Sequence, residues 1–154
     1  STQILVKLIK FKKWPPKYAA LIFMFQKEMA ERIIGKYKTS NYGRLSILSK
    51  YRLEIINKFN VSPNCFVPKP KIDSTVLYLV PKNEIFNKIK NIENLEKITN
   101  ILFANKRKMI NKNIKKIFKD LAYFNTKIDL DLTLRPSDLQ PEKYYRITEL
   151  YEKV

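Results

Sequence analysis

Apolar positions recur along this chain with different periods in its two halves. Ile4, Leu5, Leu8 and Ile9 stand at helical spacing, behind Ser1 or Thr2 as the capping residue, and predict a short amphipathic helix. Trp14-Pro15-Pro16 ends it. The run Tyr18 to Phe25 has no polar alternation, which predicts a central strand covered on both faces. From Gln26 to Ile34 the period is helical again, with Met29, Ile33 and Ile34 on one side. A polar loop over 35–43 follows, then a helix over 44–50 and a strand over 53–59. A proline-punctuated loop occupies 61–71, and Ser74 to Val80, rich in β-branched and apolar residues, predicts a further strand.

Beyond Pro81 only helical spacing remains. Leu95, Ile98 and Leu102 make one stripe, and Ile110, Ile114, Ile117 and Leu121 a second. Ile147, Leu150, Tyr151 and Val154 make a third, entered past Pro136 and Pro141. The fold class expected is α/β followed by all-α. The boundary lies near residue 82, giving an α/β portion over 1–82 and a small helical domain over 83–154. An α/β portion that opens on a helix needs parallel partner strands from elsewhere, so the chain is expected to be part of a longer protein.

Charge sharpens this picture. Lys and Arg number 31 against 14 Asp and Glu, a formal net charge of +17. Such a surplus favours a polyanionic partner through phosphate neutralisation and counterion release, with an anionic membrane surface as a lesser alternative. A lysine-rich compositional bias would produce the same excess without a partner. The sequence holds no His and one Cys, Cys65. That excludes His-based triads, His general bases, Cys-rich zinc sites and internal disulfides, so no metal is expected and a reducing cytoplasm fits. Only Gly35 and Gly43 are present, too far apart for a phosphate-cradling loop. No apolar run approaches the roughly 18 residues of a membrane span.

Two segments carry candidate chemistry. In the loop Val61 to Ser74, Pro63, Pro68 and Pro70 restrict the backbone while Phe66 stands beside Lys69 and Lys71. A rigid aromatic among cations suits stacking of an unpaired base with its phosphates held nearby. Phe66 as a core residue, with prolines shaping a crossover, is equally compatible with the pattern. The second segment runs from Arg107 to Lys119. Lys108, Lys112, Lys115 and Lys119 repeat at helical spacing, displaced by two residues from the apolar stripe and hence on the opposite face. A solvated face normally mixes signs, whereas this row is of one sign until Asp120, and Lys106 and Arg107 extend it. Arg44 is a further cationic candidate, with a structural pairing to Glu28 or Glu31 as its alternative.

Several stretches, taken in order, resemble the rRNA adenine N6,N6-dimethyltransferase family. Phe66-Val-Pro-Lys-Pro-Lys-Ile-Asp-Ser74 is similar to its F-x-P-x-P-K-V-D-S signature. Phe25-Gln-Lys-Glu-Met-Ala-Glu-Arg-Ile33 is similar to Q-K-E-V-A-E-R, and Tyr42-Gly-Arg-Leu-Ser46 to Y-G-R-L-S. Phe103-Ala-Asn-Lys-Arg-Lys108 resembles F-x-x-R-R-K with Lys106 in place of Arg, and Arg135-Pro136 with Leu139 resembles R-P-E-x-L with Ser137 in place of Glu.

The resemblance implies the C-terminal part of a Rossmann-like methyltransferase domain plus a small helical rRNA-binding domain. It implies S-adenosylmethionine as methyl donor and transfer to N6 of two adjacent adenosines in the terminal hairpin of small-subunit (16S) rRNA. The partner implied is an immature small ribosomal subunit met by a monomer. Ser1-Thr2 resembles the end of the family's N-L-P-Y-N-I-S motif and its successor. The donor loop and the catalytic Asn and Tyr would then lie upstream, and this chain alone is expected to be inactive. Phe66 would stack on the target adenine, with Pro68, Lys69, Pro70 and Lys71 forming the substrate loop. Arg44, Lys106, Arg107, Lys108, Lys112, Lys115 and Lys119 would contact RNA. The alternatives are the large-subunit dimethyltransferase of the macrolide-resistance type and a non-catalytic RNA-binding assembly module.

Overall fold

The protein is represented by a computed structural model that describes residues 2–85 and 88–154. Three strands, β1 (Leu21–Gln26), β2 (Leu53–Val61) and β3 (Ser74–Pro81), form one antiparallel sheet in the order β1-β3-β2. The most regular alternation occupies the centre: Thr75, Leu77 and Leu79 of β3 point inward and are buried. Leu21 of β1 lies opposite Leu79, and Gln26 opposite Ser74. Val61 of β2 also lies opposite Ser74, so the proline loop leaves β2 beside the C-terminal end of β1. The Lys27 N–H donates to the Asp73 carbonyl at 2.9 Å and fastens the loop there.

Helices α1 (Thr2–Ile9), α2 (Lys27–Ile34) and α3 (Arg44–Arg52) gather on one side of the sheet, α2 against β1 and β3, and α3 against β2. Thr2 is already helical, and the alternative cap, Ser1, lies outside the described residues. The expectation of a strand over 18–25 covered on both faces needs correction. β1 starts at Leu21, pairs antiparallel, and leaves Ile22 71% and Met24 48% exposed. Phe59 and Ile56 of β2 are also open, Ile56 at the bulge between Ile55 and Asn57. The unbroken apolar run is real, but among the described residues helices cover only one of its faces, and parallel partner strands are not among them.

The helical part holds α4 (Ile92–Phe103), α5 (Asn111–Ile117), α6 (Leu121–Lys127) and α7 (Pro141–Lys153). The first stripe holds, since Leu95, Ile98 and Leu102 are fully buried. Asn91 caps α4 by accepting from the Glu93 N–H at 3.0 Å. The second stripe is divided between two helices. Phe118 is buried against Phe124 with ring centroids 4.9 Å apart, and its backbone is extended. Asp120 then caps α6 by accepting from the Tyr123 N–H at 3.0 Å. The continuous Lys face over 108–119 is therefore corrected: only Lys112 and Lys115 of that row lie on α5, with Lys108 in the preceding turn and Lys119 past the break. The third stripe holds in Ile147 and Leu150, whereas Val154 is 78% exposed.

The buried residues form one cluster that crosses residue 82 without interruption. Phenol hydroxyls fasten the crossing. Tyr37 donates to the Asp138 carbonyl at 2.8 Å, Tyr42 to that of Leu139 at 2.6 Å, and Tyr145 to that of Ile47 at 3.0 Å. Rings complete it, with Phe103 stacked on Tyr144 at 5.6 Å and Tyr42 edge-on to Phe103 at 6.3 Å.

Candidate functional site

Phe66 is neither core nor free. Ser62 caps the short 3-10 turn Pro63–Cys65, its hydroxyl accepting from the Asn64 N–H at 3.2 Å, and Phe66 follows in extended conformation. The ring is half-buried and lines an open depression of about 330 Å³ with Met24, Val67, Pro68, Pro70 and Ser74. Proline rigidity and the end of β1 thus present an aromatic side chain at the sheet's edge. Lys69 and Lys71 are exposed. Lys71 borders a second depression shared with Lys27, Glu28, Glu31 and Asp73.

A concavity of about 580 Å³ opens between α1, α2, α3 and α4. Arg32 of α2, Arg44 of α3 and Lys106 of the turn after α4 reach it, and Glu96 and Phe103 of α4 complete the far wall. Arg44 is exposed and makes no ion pair among the described residues, so the alternative pairing with Glu28 or Glu31 is absent; Glu28 instead holds Arg32 at 2.8 Å. Lys106 donates to the Ser40 carbonyl at 3.0 Å. Sequence reasoning placed Arg44 and Lys106 far apart in the chain, and the fold brings them to one cleft. Arg107, Lys108, Lys112, Lys115 and Lys119 are all exposed on the helical part.

A model of the family described as ribosomal RNA adenine dimethylase matches residues 1–153. The chain belongs to that family. Over 135 residues it is 44% identical to a ribosomal RNA small subunit methyltransferase A from Pelagibacter ubique, covering 88% of the chain and 51% of that relative. The protein of the same description from Zymomonas mobilis is 36% identical over 99% of the chain and 54% of its own length. The chain spans about half the length of the curated relatives it matches. A crystal structure of a dimethyladenosine transferase from Plasmodium falciparum superposes with a TM-score of 0.77, at 25% identity over 99% of this chain and 63% of that one. A 23S rRNA methyltransferase, ErmE, shares the fold with a TM-score of 0.57 at 19% identity, over 90% of this chain and 57% of its own.

Two motifs of the dimethylase pattern prove to be interlocked in space. Tyr42 of Tyr-Gly-Arg-Leu-Ser is fully buried, and its hydroxyl meets the carbonyl of Leu139 in Arg-Pro-Ser-Asp-Leu. Sequence reading missed Arg32 and Phe103 as cleft residues, although both sit inside quoted motifs and could have been found there. It also missed Arg52, for which the sequence carries no signal. That guanidinium is 6% exposed, its Nη1 donates to the Ile9 and Phe11 carbonyls at 2.6 Å, and it lies 4.6 Å over the Trp14 ring. Its partners are carbonyls and a ring rather than an acid.

Proposed function

We propose that the protein dimethylates N6 of two adjacent adenosines in the terminal hairpin of small-subunit rRNA during ribosome biogenesis. This chain supplies the side that receives the RNA. The observation that carries the reading is the half-buried Phe66 ring at the mouth of an open depression, in a chain of the adenine dimethylase family. An adenine extruded from its stack can lie against that ring, with Met24 and the prolines excluding water on one side. Stacking contributes about 1–3 kcal/mol per base and offsets part of the extrusion cost. The N6 lone pair is delocalised into the purine, so fixing the base relative to the donor does most of what catalysis requires.

S-adenosylmethionine would supply the electrophilic methyl group. That its cradle lies outside the described residues is supported by the two glycines, neither of which has a positive φ, and by Asn41 packing against the backbone at Gly35. We place the donor site on other parts of the protein, which makes this chain alone inactive. In the same reading the portion up to residue 82 receives the base and residues 83–154 hold rRNA, through Arg107, Lys108, Lys112, Lys115 and Lys119. Lys69 and Lys71, both exposed, support the phosphates at the substrate loop. The protein acts as a monomer in the cytoplasm.

The test supplies the intact protein with immature particles of both subunits and labelled donor, and maps modified nucleotides by mass spectrometry. Dimethyladenosine is expected in the small-subunit hairpin. Label on large-subunit rRNA would assign the resistance-type reaction, and none on either would leave a binding module. Phe66→Ala should lower the methylation rate by about tenfold or more while changing rRNA affinity less. An unchanged rate would remove Phe66 from the site.

A further inference from the structure

The cleft between α1, α2, α3 and α4 is distinct from the Phe66 depression, with which it shares no lining residue. Its volume of about 580 Å³ suits one nucleotide and excludes a duplex. Val6, Met29, Leu45 and Leu48 give it an apolar lining, and Phe103 adds an aromatic edge. The cations Arg32 of α2, Arg44 of α3 and Lys106 of the turn after α4 are spread around it. An apolar lining with a cationic surround accepts a base inside and its phosphate outside.

The charges there are available. Arg44 has no ion-pair partner among the described residues. Lys106 spends one of its N–H groups on the Ser40 carbonyl, leaving two. The Arg32–Glu28 pair, 55% and 74% exposed, is a surface contact that a phosphate can displace. The one carboxylate in the wall, Glu96, is engaged by Lys10 at 3.2 Å and repels a phosphate correspondingly less. The loop bearing Ser40 to Gly43 is anchored through Tyr42 to Leu139, so it is set before any ligand arrives.

We infer that this cleft binds one unpaired nucleotide of the RNA substrate, other than the target adenine. The inference rests on the RNA-acceptor reading above and deepens it. α2 starts at the end of β1 that borders the Phe66 depression, and Arg32 lies about 8 Å further along that helix by its rise per residue. The nucleotide held is therefore near the target in the RNA. Its role is to hold the strand while the adenine is extruded.

Gly43 provides a plug. Its backbone is extended and an added Cβ would meet no atom within 4 Å, so Gly43→Leu can fold while its side chain takes up space at the cleft. In the intact protein, this variant should bind the rRNA hairpin about tenfold more weakly in fluorescence anisotropy, with an unchanged melting temperature. Arg44→Gln should flatten the dependence of log affinity on log salt by about 0.7. A hairpin carrying 4-thiouridine next to the target should crosslink to peptides containing residues 40–48 or 103–106.

Unchanged affinity and salt slope in both folded variants, with crosslinks elsewhere, would overturn the inference. Binding of free AMP that Gly43→Leu abolishes, with hairpin binding intact, would overturn the RNA source in favour of a free nucleotide. Methylation of the hairpin with no effect of either variant sinks this inference alone. No methylation, with hairpin binding weakened by both variants, sinks the proposed reaction and leaves the cleft standing.

Discussion

Gly35 and Gly43 look interchangeable in the sequence, two glycines bounding one polar loop, and the structure separates them. A Cβ at Gly35 would lie 2.5 Å from the Asn41 carbonyl oxygen and against the Asn41–Tyr42 backbone, with no flexible side-chain end to yield. Gly35→Ala should therefore cost about 2 kcal/mol, read as a lowered urea midpoint. Gly43→Ala should fall within about 0.5 kcal/mol of the parent. Equal midpoints for the two variants would mean that the loop shifts freely. Phe66 was legible as chemistry through its motif, while the pattern of residues alone left core and base-stacking readings open. Its half-buried ring in an open depression is a position that alternation cannot announce. Arg52 was illegible because burial of a cation by carbonyls leaves no complementary acid to find.

Among elements, periodicity served well wherever one face is buried and one is wet. α4 carries its stripe as expected because Leu95, Ile98 and Leu102 meet a single core. It failed where a local signal overrode the period. The stripe from Ile110 to Leu121 continues in register through Phe118 and Asp120, yet an aromatic buried across the turn and an aspartate cap begin a new helix there. β1 failed differently, since a run apolar on both faces says nothing of what covers the second. The lysines survive the correction. Lys108, Lys112 and Lys115 remain exposed, and none has an ion-pair partner among the described residues. Replacing all three by Gln should flatten the salt dependence of rRNA binding by about 2 in log–log slope, less if contacts are partial. A slope equal to the parent's would mark this surface as merely solvated.

The molecule as a whole responds to alkali through its buried phenols. Burial pushes Tyr18 up to about 12, despite Arg52 nearby, and pushes Tyr42, Tyr51, Tyr144 and Tyr145 up as well. Folded values above the unfolded value of about 10 mean that the unfolded chain loses protons first as pH rises. The stability these groups contribute is complete below about pH 10 and drains away as pH climbs toward their folded values. Burial holds Lys50 and Arg52 below their usual values, which acts in the opposite sense, but these are two groups against five. The melting temperature should therefore fall steeply between about pH 10 and 12. A flat profile there would mean that the phenols reach water before the fold opens.

The α/β-then-helical order was legible from the change of period near residue 82, and the continuity of the core across that point was not. The tyrosine bonds that create it join side chains to backbone carbonyls about a hundred positions away, as from Tyr42 to Leu139, and a carbonyl has no letter in the sequence. Their consequence is one of measurement. With Tyr37, Tyr42 and Tyr145 bolted across the join, the span from the Phe66 loop to the lysines of the helical part behaves as a fixed gauge rather than a jointed arm. On the proposed reading, such a gauge would test whether an RNA has already folded to the right dimensions and pass over one that offers the right bases at the wrong separation.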